Sequence, residues 1–159
     1  MASLPSRIRF PLGGKSFLVV HRGIDRINRF LFFSNAKEIG DELSRAGADA
    51  VLAGHCGIPF VRRFGRKSWL NAGAIGMPAT DGTADGWYLL LEPQGKELQA
   101  TRHRLRYPAR TSQLHMAEAG LQSGYAETLV SGIWPSQDIL PTKERSQKGK
   151  SLTLPALSL

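Results

Sequence analysis

Two short apolar stretches run into histidines, the first directly and the second through one glycine, and one amphipathic segment lies between them. Residues 17–20 (Phe-Leu-Val-Val) have the composition of a buried strand, with Gly13-Gly14 as the turn before it and His21 at its end. Asn35 with Glu38 three residues on has the spacing of a capping box. Ile39, Leu43 and Ala46 then recur on one helical face until Gly47 closes the segment. Residues 50–53 (Ala-Val-Leu-Ala) form the second apolar stretch and run into Gly54-His55. Strand, helix, strand over this length predicts a β-α-β crossover. In open α/β sheets, sites collect outside the carboxyl ends of the strands. His21 and His55 are therefore the candidate site residues, although either histidine alone would be unremarkable.

Beyond this unit the texture changes. Residues 60–64, 68–70, 86–92 and 97–105 have strand composition, with Pro93-Gln94-Gly95 as a hairpin turn. The apolar stretch 27–33 is expected to hold a short helical turn. Ser112 is placed to cap a helix ending at Gly120, and Ser123 one ending near Gly132, before Trp134-Pro135 stops it. Small residues from Asn71 to Pro78 (Asn-Ala-Gly-Ala-Ile-Gly-Met-Pro) predict a tight loop. The expected organisation is a body over residues 7–141 and a flexible basic tail over 142–159. That tail carries Lys143, Arg145, Lys148 and Lys150 without an apolar anchor, and its Leu/Pro/Ser end has no helical period.

Charge narrows the partners. Lys and Arg number 21 against 13 Asp and Glu, a formal charge of +8, which favours anions in general. The basic residues are spread, and the aromatics do not interleave with them as a stacking platform would. No specific nucleic-acid binding is therefore expected. The run Arg102-His103-Arg104-Leu105-Arg106 alternates, as a strand face meeting solvent would. No apolar run approaches the ~18 residues of a membrane span, and no signal peptide is legible at the start. A cytoplasmic, membrane-free protein is expected. The single cysteine, Cys56, excludes a disulfide framework and a four-cysteine zinc site.

The order of motifs resembles a known family. Strand-His21, helix, strand-Gly54-His55, Pro59-Phe60, then Trp69-Leu70-Asn71-x-Gly73-x-x-Gly76 is similar to the C-terminal half of the calcineurin-like metallophosphoesterases. That family has His-Gly after a strand, then Gly-His-Thr-His with Pro-Phe shortly after, then Asn-Pro-Gly-Ser. The likeness runs over residues 17–91. Residues 120–141, with Gly-Ile-Trp-Pro and Ile-Leu-Pro, are similar to the end of one bacterial subgroup.

The resemblance implies an α/β (mixed α+β) chain that forms the C-terminal half of a four-layer αββα sandwich. It implies a dinuclear centre of divalent ions (Mn, Fe, Zn or similar) that hydrolyses a phosphate mono- or diester with metal-activated water. In the family, the strand-end histidine and the first histidine of the Gly-His motif bind one metal; these correspond to His21 and His55. The next histidine of that motif, a ligand of the other metal, corresponds to Gly57, which has no side chain. Cys56 stands where threonine is common and is expected to be a small buried residue. The family's Asp-x-His, Gly-Asp-x-x-Asp and Gly-Asn-His-Asp/Glu motifs occur nowhere in these residues, so no catalytic residue is assigned.

Three readings stay open. The first is a phosphoesterase fragment, weakly active or inactive alone, with a phosphate ester as substrate. The second is a degenerate, non-catalytic binding module on the same fold. The third is a nucleic-acid-binding protein, which has least support. On either of the first two, an open apolar face and an exposed sheet edge are expected, through which copies could associate.

Overall fold

The computed structural model describes residues 4–26, 28–95, 97–121 and 124–159. A five-stranded sheet, in the order β1-β2-β3-β5-β4, is built from β1 (Arg7–Leu12), β2 (Lys15–Val20), β3 (Ala50–Ala53), β4 (Phe60–Phe64) and β5 (Lys67–Asn71). β2, β3 and β5 are parallel neighbours, and the two flanking strands run antiparallel to them. β6 (Gly86–Gln94), β7 (Glu97–Leu105) and β8 (Leu157–Ser158) make a second, antiparallel sheet.

The period-2 alternation of strands sorts the apolar residues onto two faces. Leu18, Val20, Val51, Ala53 and Trp69 pack with Ile39 and Leu43 of helix α1 (Ala36–Arg45). On the opposite face Phe17, Ala50, Val61 and Leu70 meet Leu98 and Ala100 of β7, with Leu89 and Leu91 of β6 beside them. Helix, sheet and sheet are thus three successive layers of a mixed α/β fold. Helices α2 (Ala109–Glu118) and α3 (Gly124–Ser131) follow, then the short α4 (Thr142–Arg145).

The β-α-β unit is present as expected, with the register Phe17↔Ala50, Leu18↔Val51 and Val19↔Leu52. Its helix begins differently. The Asn35 side chain makes no cap to α1; its Oδ1 accepts the backbone N–H of Phe32 at 2.8 Å and closes the turn before the helix. At the other end, Arg9 of β1 donates to the carbonyls of Ala46 and Gly47, neutralising the helix's negative end. Gly47, at φ 58°, turns the chain back toward β3.

Several sequence expectations give way here. The exposed edge expected beside β2 is occupied by β1, a strand not foreseen from its Arg-rich sequence. β1 is the sheet edge instead, and Arg7, Arg9 and Pro11 are residues that discourage further pairing there. Ser112 lies inside α2, which starts after Pro108, whose ring presets the backbone angle. Among the described residues, 28–33 holds no helical turn. Ile27 and the proposed cap Ser123 lie outside the described residues. Arg102 and Arg104 do not face solvent: Arg104 pairs with Asp81 at 3.0 Å and Asp85 at 3.3 Å, and Arg102 is buried.

The stretch 142–159, expected as a flexible tail, carries α4 and β8. Buried Glu144 accepts from the backbone N–H and hydroxyl of Ser34, and Leu157 and Leu159 pack on the inter-sheet core. Outside the core, Tyr88 and Leu90 leave a small exposed apolar patch on the far side of the second sheet.

One buried carboxylate organises the loop after β2. Glu42 of α1, 1% exposed, accepts the N–H of Ile24 at 2.6 Å and the guanidinium groups of Arg29 at 3.1 Å and Arg45 at 3.0 Å. Replacing it would leave a buried donor without an acceptor. Glu42→Ala is expected to destabilise the chain by roughly 1–3 kcal/mol, measured by urea denaturation.

Candidate functional site

The two strand-end histidines come together. Gly54 donates its N–H to the carbonyl of His21 at 3.1 Å, carrying the β2–β3 association one step past the strand ends. This places His21 Nε2 3.0 Å from His55 Nδ1 in an imidazole–imidazole hydrogen bond, the rings meeting edge to face. His55 holds a left-handed backbone, φ 65°, which non-glycine residues adopt sparingly. That conformation turns its ring back toward His21.

The loop after His55 is fastened from three sides. Buried Asn71, at the end of β5, donates to the carbonyls of Cys56 at 2.6 Å and Ile58 at 2.7 Å. The Cys56 sulfur accepts the N–H of Leu31 at 3.3 Å. Burial raises the Cys56 thiol pKa, so the side chain packs as a neutral group. Trp134 lies over Gly57: a Cβ added there would stand 2.9 Å from the indole. The room that a histidine would need at this position is filled by tryptophan, held by its own Nε1–H to the carbonyl of Pro78 at 2.6 Å.

Beside the histidines is a pocket of about 320 Å³ lined by Arg22, Phe30, His55, Met77, Tyr125 and Trp134, among others. Arg22 is 5% exposed, its guanidinium carbon 4.1 Å above the centre of the Phe30 ring. Its Nε has no hydrogen-bond partner, and no carboxylate pairs with it among the described residues. Burial, then Arg22, then His21 depress the His55 pKa to about 4, so that ring is neutral at pH 7. Among the described residues no acidic side chain lines this pocket. Its charge is that of one buried guanidinium.

Neutral imidazoles suit divalent transition metals, but a dinuclear centre needs many more donors. Among the described residues no group of three His, Cys, Asp or Glu side chains is placed to share an ion. The residues present do not fit a two-metal site; they offer two converging nitrogens. The sequence pointed to both histidines. It did not point to Arg22, whose only signal is its place beside His21, nor to Trp134, which arrives from far along the chain. Met77, in the loop expected to be tight, does line the pocket, and among the described residues no helix is long and apolar enough to cross a membrane.

No protein-family model and no curated protein matches the chain. Solved structures do. A metallophosphoesterase from Sphaerobacter thermophilus superposes with a TM-score of 0.68 at 23% identity, over 83% of this chain and 59% of that one. The hypothetical protein PH1004 from Pyrococcus horikoshii gives 0.69 at 12% identity, over 83% and 52%. Vps29 from Entamoeba histolytica, complexed with Zn²⁺, gives 0.51 at 20% identity, over 65% and 56%. The chain therefore spans little more than half the length of these proteins. At such identities the likeness is one of fold, and the fold of this chain is that of the calcineurin-like metallophosphoesterases.

Proposed function

We propose that these residues supply one part of a metal-dependent phosphoesterase site, with His21 and His55 as donors to a single divalent ion, and that alone they hydrolyse phosphate mono- or diesters weakly or not at all. The observation that carries this reading is the 3.0 Å separation of His21 Nε2 and His55 Nδ1 at the carboxyl ends of β2 and β3. Two nitrogens bound to one ion at ~2.0–2.1 Å lie about that far apart. Catalytic zinc sites use about three protein ligands, so two neutral donors hold an ion loosely. No hydrolytic step is assigned to the residues present.

Titration calorimetry with Mn²⁺ or Zn²⁺ is expected to find at most one weakly bound ion per chain, lost in His55→Ala. Two tightly bound ions per chain would sink the proposal. With excess Mn²⁺, p-nitrophenyl phosphate and its bis-ester are expected to be hydrolysed no faster than by the His21→Ala variant.

The second reading, a binding module without hydrolysis, is favoured by Arg22. A buried guanidinium without a carboxylate partner, in a pocket with apolar and aromatic walls, is suited to an anion carrying an apolar group. Phenyl phosphate is expected to bind in the presence of EDTA, and Arg22→Met to weaken that binding at least tenfold. If binding requires added metal or survives Arg22→Met unchanged, this second reading fails while the metal titration still decides the first.

A further inference from the structure

A second cavity, of about 260 Å³, shares no lining residue with the histidine pocket. It lies between β4 and the 142–154 segment and is open to solvent. Phe60 and Val61 of β4, Ala79, Leu152 and Leu154 make its apolar walls. Five charged side chains also line it, and they divide unequally. The two acids are already engaged. Asp81 accepts from Arg104 at 3.0 Å, from the Thr83 hydroxyl at 2.7 Å and from the Leu152 N–H at 3.1 Å. Glu144 is held by Ser34.

The three bases are not so engaged. Lys143 lies over the face of Phe33, and neither it nor Lys150 is in an ion pair among the described residues. Arg102 is 7% exposed; its guanidinium donates to the carbonyl of Pro155, and its Nε has no partner. No carboxylate of the described residues pairs with it. Arginine stays charged even when buried, and a buried charge without a counter-ion is costly. A sheet residue facing the inter-sheet layer would ordinarily be apolar, as Leu98 and Ala100 are on the same strand.

We propose that this cavity binds a medium-chain aliphatic carboxylate, with its tail among Val61, Ala79, Leu152 and Leu154 and its head on the Arg102 guanidinium. The volume is of the order that a medium-chain acid needs. At ~30 Å³ for each water-sized group, 260 Å³ holds about eight or nine such groups, the size of octanoate. The carboxylate supplies the counter-ion that Arg102 lacks among the described residues. Lys143 and Lys150, exposed beside the cavity, attract the anion at longer range.

The test is calorimetric titration of the full chain with sodium octanoate, with octan-1-ol and sodium acetate as references. One octanoate per chain is expected, with octanol at least tenfold weaker and acetate without measurable binding. Leu154→Trp, which fills the cavity from the exposed segment, is expected to abolish octanoate binding. Arg102→Met is expected to weaken octanoate at least tenfold and leave octanol unchanged. Should Arg102→Met fail to fold, salt gives the same information: raising it from about 50 to about 500 mM should weaken octanoate and not octanol. Equal affinity for octanoate and octanol, absence of saturable binding, or binding unaffected by Leu154→Trp would overturn the proposal.

Discussion

Parallel pairing of β2 with β3 is the constraint on which the rest of this molecule depends. Parallel neighbours require a crossover, and α1 provides it while covering one face of the sheet. The same pairing brings two strand ends to the same edge, so that His21 and His55 meet although neither is near the other in the chain. The ladder extends past the strands through Gly54 and the carbonyl of His21. Glu42 then holds the loop that leaves β2, and Asn71 holds the loop that leaves β3. Both are buried polar groups that pin irregular backbone close to the two imidazoles.

Around that pair, sterics and electrostatics point the same way. Trp134 occupies the space over Gly57, so no further imidazole donor enters there. His55 stays neutral because burial and the Arg22 charge both oppose protonation. Arg22 remains a cation in a pocket without acids. The result is a pocket with a neutral imidazole and one buried guanidinium. That balance is the ground for the two proposed readings, weak hydrolysis by these residues alone and anion binding at Arg22.

The excess of basic residues is only partly a surface property. Arg9 closes the carbonyl end of α1, Arg104 gathers Asp81 and Asp85, and Arg29 and Arg45 converge on Glu42. Arginine suits such places because its planar fork serves several acceptors at once. Arg22 and Arg102 are the two buried exceptions with no carboxylate partner among the described residues, and each lines a cavity. These two are the arginines on which the proposed anion sites rest.

The β-α-β unit was legible because it is local. The apolar runs at 17–20 and 50–53, the helical face of Ile39 and Leu43, and the histidines at the strand ends follow from period and spacing alone. The strands 60–64, 68–70, 86–92 and 97–105 were legible for the same reason. What depended on distant partners was not. β1 is a strand because β2 has an edge to offer, and β8 because β7 has one. Asn35 serves the turn at Phe32 rather than its own helix. The inward turn of Arg102 and Arg104 depends on which face of β7 meets the other sheet and where Asp81 lies. By itself the sequence determined one crossover and two candidate ligands. Tertiary packing decided that Trp134 fills the space over Gly57 and that Arg22 lines the same pocket as His55, because contacts between residues far apart in the chain leave no periodic trace in it.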